Sequence, residues 1–446
     1  MTVDVVTREL EHLLRVGELD SLAPVVATLA PRQVVEVLER LGPRRRASVF
    51  QMLPSEQASA VFARLDPALQ REALATLDDA RAIDLFSGLP PDDRVRLLQG
   101  MPTSTTTHLL AGLTPEDRED TAAQLDYPRG SVGQWMNRRY LSAGSEATVE
   151  QALELVRQTG HEDVAGYALV VTDPRGAPVG LVGLRELIVA DSMTMLGTLA
   201  SPTQTVLVST DVELAARQCT TADLLTLPVI DADQQVVGVF TGDDALRVLE
   251  EVETEDRARE GGSEPLRRPY LSTPVTRLVR SRVVWLLVLA VSAVLTVRVL
   301  ETFESTLDQM VVLALFIPLL TGTGGNTGNQ AATTVTRALA LGDVEVRDMG
   351  RVLLREVRVG AVLGAMLGAL GFLFATVVYG MPIGAVIGLT LFLVCTMAAT
   401  VGGAMPLIGK SIRVDPAVFS NPFISTFCDA TGLIMYFLIA GFVLHL

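Results

Sequence analysis

Asp429 stands in the segment Phe427-Cys428-Asp429-Ala430-Thr431, within the 31 residues Pro416–Leu446, which hold no other acid and no Lys or Arg. A carboxylate about ten residues into an apolar helix cannot easily reach a water interface, so its place there implies a function. No Lys or Arg lies at comparable depth in the other apolar runs to neutralise it. A second polar feature is Gly322-Thr323-Gly324-Gly325-Asn326-Thr327-Gly328-Asn329-Gln330. Polar side chains at membrane depth must be satisfied by protein or by a water-filled path. Gly325, Asn326, Gly328, Asn329 and Gln330 are therefore the expected pore lining. Every candidate ligand is an oxygen. The four histidines, His12, His108, His161 and His445, are scattered, and the three cysteines lack metal-ligand spacing. Zinc and copper chemistry is disfavoured. One carboxylate with neutral oxygens suits a Mg²⁺ ion that keeps most of its water. Two copies of Asp429 about one axis would make a stronger site than one, so a homodimer is expected.

Five apolar spans must position these groups, at about 281–303, 309–336, 357–379, 383–408 and 419–445, each near the roughly 20 residues a bilayer needs. Arg267, Arg268, Arg277, Arg280 and Arg282 precede the first. Arg337, Arg347, Arg351, Arg355 and Arg358 separate the second from the third, and Lys410 and Arg413 the fourth from the fifth. The bias of positive charge toward the cytosolic side makes these segments cytosolic and leaves the C-terminus outside. The beginning of the chain holds no apolar signal-peptide core, so the N-terminus is expected in the cytosol. Residues 1–256 carry 40 acids and 21 bases, a net of −19; the remaining 11 acids and 15 bases net +4, giving the −15 of the whole chain. An acidic cytosolic half beside a membrane half disfavours anion transport. No His-Glu-x-x-His set exists for an intramembrane protease. An enzyme is not expected.

In the acidic half, Leu29, Leu41, Leu53, Leu65, Leu77, Leu89, Met101, Leu113 and Leu125 recur every twelve residues, those from Leu29 to Leu113 with apolar partners three and four residues earlier. This is one buried helical face per unit, hence an α-solenoid. Beyond it, Ala168–Thr172 and Val179–Val182 flank a Pro/Gly turn, and Leu227–Ile230 and Val236–Phe240 flank another. Each strand pair has helix-like segments on either side. The duplication resembles two tandem CBS domains. Such pairs often bind adenine nucleotides, and Thr241 and Asp244 match the ribose-contacting positions, so ATP is an implied ligand. Asp243–Asp256 then reads as an acidic helix leading toward the membrane. Carboxylates crowded there repel, and a divalent cation that bridges them would favour a compact state.

The order of solenoid, CBS pair, acidic helix and five spans resembles the MgtE family of Mg²⁺ channels and transporters. Pro318–Gln330 is similar to the family's signature, and Val414-Asp415-Pro416 through Asn421-Pro422 and Asp429-Ala-Thr-Gly432 match its last span. The resemblance implies a multidomain fold. An all-α superhelical domain occupies 1–130. The α/β tandem CBS pair follows at 131–192 and 193–251, then a connecting plug helix at 243–270 and an α-helical membrane domain of five transmembrane helices at 271–446. It implies a homodimer in the bacterial inner membrane, with Asp429 holding hydrated Mg²⁺ and Asn421 close by. The plug helix would close the pore at high cytosolic Mg²⁺. By position, the sensing acids would be Asp211, Glu213, Asp223, Asp244, Glu255, Asp256 and Asp415. Val252 departs from the pattern, standing where an acid is expected, and Asp92 and Asp93 in the solenoid have no assigned place in it. Transport of Co²⁺ or Mn²⁺, or Mg²⁺ sensing without transport, are the alternatives.

Overall fold

A computed structural model describes residues 26, 28–159, 165–266, 270, 273–412 and 421–445. The chain divides into two compact units, Met1–Glu253 with Leu266–Thr273, and Thr254–Pro265 with Pro274–Leu446.

Among the described residues, the first unit has eight short helices before its α/β modules: α1 (Pro31–Arg40), α2 (Pro43–Gln51), α3 (Ser55–Phe62), α4 (Pro67–Leu74), α5 (Asp79–Ser87), α6 (Pro91–Leu98), α7 (Thr103–Ala111) and α8 (Pro115–Leu125). Each twelve-residue unit of the sequence is one helix and one turn. Proline stands in the first turn of α1, α2, α4, α6 and α8, where its missing N–H costs nothing. The side chains of Asp66, Asp78 and Thr114 accept hydrogen bonds from the backbone N–H groups that open α4, α5 and α8. The leucines of the repeat form one continuous core. Helices pack on the next but one, α1 on α3, α2 on α4, α4 on α6 and α6 on α8, so the structural period is two helices. Polar latches follow this longer period. Arg46 donates to the Leu38 and Leu41 carbonyls (2.8 and 2.7 Å), Gln70 to Phe62 (2.8 Å), Arg94 to Ser87 (2.7 Å) and Arg118 to Leu113 (3.1 Å). These four positions recur at intervals of 24 residues. Each satisfies carbonyls at the end of a preceding helix.

Two α/β modules follow. The first pairs β1 (Tyr140–Gly144) parallel to β2 (Ala165–Thr172) and β2 antiparallel to β3 (Pro178–Gly183), with α9 (Val149–Thr159), α10 (Leu184–Val189) and the single turn α11 (Leu196–Leu199). The second repeats this with β4 (Val206–Leu207), β5 (Thr226–Ile230) and β6 (Val236–Thr241), plus α12 (Val212–Thr221) and α13 (Gly242–Glu260). The modules exchange their leading segments. Val132, Trp135 and Met136 enter the second module's core, while Leu196 enters the first's.

Among the described residues, the second unit holds five helical stretches long and apolar enough to cross a membrane. These are α14 (Val275–Thr302), α16 (Ile317–Ala340), α17 (Met349–Tyr379), α18 (Met381–Ser411) and α19 (Asn421–Leu444). The short α15 (Glu304–Gln309) and a 3₁₀ turn, Val311–Phe316, precede α16. The α-helix of the second span therefore starts eight residues after the expected 309, at Ile317 with Pro318 in its first turn. The third begins at Met349, eight residues before the expected 357, because the arginine-rich segment continues the helix instead of looping. Glycine joins α17 to α18. A Cβ at Gly360, Gly364 or Gly368 would lie 2.8, 2.6 or 2.6 Å from the carbonyl oxygens of Cys395, Phe392 and Gly388. Only hydrogen fits between backbones that close.

Gly364→Leu should force α17 and α18 apart and cost about 3 kcal/mol or more, as overpacking does. A lower melting temperature of the detergent-solubilised full chain would show it, with Ala365→Leu on the exposed side as the control.

Candidate functional site

Helix α16 is stitched to α18 and α19 through its glycines. A Cβ at Gly324 would meet Val394 Cγ1 at 2.8 Å, one at Gly325 would meet Ser425 Oγ at 3.3 Å, and one at Gly328 would meet Ile424 Cγ2 at 2.7 Å. Gly402 of α18 lies directly against the Gly328 carbonyl. The expected lining thus divides between two faces. Gly325 and Gly328 are buried in helix packing, while Asn326 and Gln330, one turn apart, are exposed. Asn329 lies between the two faces. Its Nδ2 donates to Ser425 Oγ at 3.0 Å, and its buried Oδ1 has no partner.

Asp429 sits two turns into α19, next to Cys428, which packs on Gly328. It is half-buried and makes no hydrogen bond or ion pair with another described residue. A half-buried carboxylate, and an unpartnered amide oxygen on the asparagine that bonds Ser425 one turn before it, are both hard oxygen donors, the ligand type of a hydrated divalent cation. Asp415 and the side chain of Asn421 lie outside the described residues; the backbone of Asn421 starts α19. Just beyond α13, Gly262 approaches Pro422 in the first turn of α19, where a Cβ would be 3.1 Å from the proline ring. Glu264 holds this segment to α14, its backbone N–H bonding the Ser281 carbonyl (2.9 Å) and its carboxylate accepting from Trp285 Nε1 (3.2 Å). The segment following the acidic helix therefore lies at the end of the helix that carries Asp429.

A second group of acids lies in the first unit. Helix α6 is buried on almost all sides. Gln99 just after it donates to Gln134 (2.9 Å), and the Arg96 guanidinium stacks over Trp135 with 4.7 Å to the ring centroid. This seam sets Asp92 and Asp93 of α6 against Asp244 and Arg247 of α13. Arg96 bonds Asp93 at 2.8 Å, and Arg247 reaches Asp93 at 3.4 Å and Asp244 at 3.5 Å. Burial pushes the Asp92 carboxyl well above the usual range, and the charges of Asp93 and Asp244 add to it. Burial raises Asp244 as well, against the pull of Arg247 and Thr241. Asp92 Oδ1 is buried without a partner. Thr241, expected with Asp244 at a nucleotide ribose, donates its hydroxyl to Asp244 at 2.8 Å, and both are buried.

The remaining expected sensing acids are dispersed. Asp211 caps α12 by accepting from Glu213 N and Leu214 N, and Glu213 pairs with Arg217 at 2.8 Å. Asp223 is exposed at positive φ. Glu255 is paired with Arg259, and Asp256 is engaged as well. Among the described residues, no three acids, histidines or cysteines stand close enough to form a complete metal-ligand set. A cation at these acids would be held through its water shell and by field.

Two acids carry weight that the sequence reading did not give them. Asp92 is placed by the docking of α6, a contact between distant segments. Glu356 faces the notch left by Gly403, where a Cβ would be 2.7 Å from Glu356 Cγ and 3.6 Å from Val335 Cγ2. It belongs to the packed face of α17. The four-residue interval from Glu356 to Gly360 was the available signal.

A carboxyl that titrates higher in the fold than in the unfolded chain binds protons better when folded. Asp92 and Asp244 therefore oppose folding increasingly as pH rises from the ordinary carboxylate range through their raised values. Without divalent cations, melting of the first unit should move up on acidification from pH 7.5 to 5.5, and millimolar Mg²⁺ at pH 7.5 should act in the same direction. Asp92→Asn should blunt both shifts in a thermal melt; shifts of unchanged size would remove Asp92 from the cation-sensitive group.

The chain resembles known proteins along most of its length. Residues 317–439 match the family model described as a divalent cation transporter, MgtE; residues 29–130 match the MgtE intracellular N domain, and 132–192 a CBS domain. A magnesium transporter MgtE of Thermus thermophilus is 37% identical over 337 residues, covering 75% of this chain and 74% of that one. One from Enterococcus faecalis is 30% identical over 328 residues, covering 73% and 72%. Among solved structures, the cytosolic domain of the Mg²⁺ channel MgtE in complex with ATP matches with a TM-score of 0.50 at 29% identity, covering 54% of this chain and 99% of that one. With its solenoid, CBS pair and five apolar helices in the family's order, this chain belongs to the MgtE family of divalent cation transporters.

Proposed function

We propose that this chain carries Mg²⁺ across the bacterial inner membrane as a homodimer, and that cytosolic Mg²⁺ closes it. The observation that carries the reading is Asp429, a half-buried acid at membrane depth with no ion pair to another described residue, one turn beyond the Ser425 that the Asn329 amide bonds. The open polar face of α16 supports the pairing of two copies. Asn326 and Gln330 are exposed there, next to Thr333 and Thr334. Hydrocarbon cannot satisfy such groups, but a water-filled path between two copies can. The relatives named as magnesium transporters support Mg²⁺ as the cargo. The N-terminus lies in the cytosol and the C-terminus outside, with Arg337, Arg351, Arg355, Arg358 and Lys410 on the cytosolic side.

Closure follows from charge. Asp92, Asp93 and Asp244 face one another in the compact first unit, and Mg²⁺ bound there favours that arrangement over a separated one. Arg96 and Arg247 supply part of the same neutralisation from within, so the compact form keeps some stability without metal. The segment near Pro422 is the part of the connecting region that would obstruct the pathway, a reading supported by the approach of Gly262 to Pro422. Glu255, Asp256 and Asp415, with Asp211, Glu213 and Asp223, are the further sensing acids, and Asn421 is a second pore ligand. ATP is the proposed nucleotide at Thr241 and Asp244, supported by the ATP complex of the related cytosolic domain. Its ribose would take over the bond that Thr241 now gives to Asp244.

Uptake of Mg²⁺ into proteoliposomes should fall to the protein-free background in Asp429→Ala, with Asp429→Glu retaining part of it. Retained uptake in a folded Asp429→Ala would overturn the pore assignment. Raising Mg²⁺ on the cytosolic face should slow wild-type uptake; a rate indifferent to it would remove the gating and leave the pathway.

A further inference from the structure

One face of α17 changes character along its length. Arg351, Arg355 and Arg358, four and three residues apart, share one side of the helix. All three are exposed, Arg351 with 89% of its side chain accessible. Val362, Met366 and Leu373 continue the same side at 61%, 63% and 62% exposure. The opposite side carries the glycines that join α18. The apolar part, from Val362 to the helix end at Tyr379, is roughly 27 Å long at 1.5 Å per residue. That is close to the roughly 30 Å hydrocarbon core of a bilayer. The arginines therefore fall at headgroup depth and point away from the bundle. Asp348 engages Arg351 at 3.4 Å. Arg355 and Arg358 make no hydrogen bond or ion pair with another described residue.

We propose that Arg355 and Arg358, flanked by Arg351, bind the phosphate of an anionic phospholipid. Guanidinium forks pair with phosphate oxygens in bidentate geometry. The occupant is a lipid because the face below the arginines is a continuous apolar strip that acyl chains cover. Charge selects an anionic headgroup over a zwitterionic one. This surface rests on the membrane placement of α17 and not on Mg²⁺ transport, so it stands or falls apart from the pore.

Native mass spectrometry of the delipidated full chain in detergent, titrated with phosphatidylglycerol or phosphatidylcholine, tests it. Phosphatidylglycerol should bind more tightly. R355Q/R358Q should weaken phosphatidylglycerol about thirtyfold, at roughly fivefold per arginine, and leave phosphatidylcholine unchanged. R355K/R358K, which keeps the charge but loses the forks, should bind phosphatidylglycerol more weakly than wild type and more tightly than R355Q/R358Q; should the glutamine double variant not fold, R358Q alone should show the fivefold loss. Equal phosphatidylglycerol binding by wild type and the glutamine variants would overturn the proposal. So would full displacement of the lipid by millimolar inorganic phosphate, which would make the occupant a soluble anion. Loss of dimer with unchanged lipid binding would give the face to a second copy and overturn it too.

Discussion

A polar group withdrawn from water must be given a partner, and the membrane half is organised by that demand. Backbone groups are satisfied within five helices. The side chains of α16 are harder to accommodate, because asparagine and glutamine come in quick succession along it. Packing takes one side of this helix, where glycines admit the backbones of α18 and α19. The other side stays polar and open in a single chain. Asp429 belongs to the same problem, since a charge without a base there is stable only in company with a cation or water.

The cytosolic acids meet the same constraint in a different solvent. Asp92 is as deeply enclosed as a core leucine, yet one of its oxygens has nothing to bond. Arg96 and Arg247 offset the charge of the group without reaching that oxygen. Asp117 shows the contrasting outcome nearby. Burial raises its carboxyl, but bonds from Arg94 and Thr114 and the charge of Arg139 outweigh it and hold it below the usual range. Two acids in one seam thus differ because one has been given its donors and the other has not. The second condition is the one that leaves room for an external ion to alter the fold's stability.

The sequence is most informative where a feature is local. Five apolar runs, a twelve-residue leucine period, a duplicated strand-turn-strand and a lone intramembrane acid can all be read along the chain. What escapes it is pairing across distance. The leucine period identifies each helix, but which helices stack on one another rests on contacts between distant segments, such as Arg46 with Glu72. Asp92 looks like any acid in a first turn until α6 is docked. The arginines of α17 look like a loop because charge interrupts an apolar run, although nothing in Arg351–Arg358 breaks a helix. Glycines 360, 364 and 368 have a four-residue spacing that is visible in advance, but the carbonyls they admit belong to another helix.

The alternation of the solenoid restricts how it could have lengthened. Latches at Arg46, Gln70, Arg94 and Arg118 all belong to even-numbered helices and each bonds the end of the odd-numbered helix before it, while packing runs mainly from each helix to the next but one. Insertion of one twelve-residue unit would keep the leucine rhythm unbroken while moving every later helix into the opposite row. The residues now facing the CBS modules would then sit on the wrong side of the stack. Growth or loss by helix pairs preserves the facing of α6, so the natural unit of heredity in this domain is 24 residues long, twice the repeat that the leucines display.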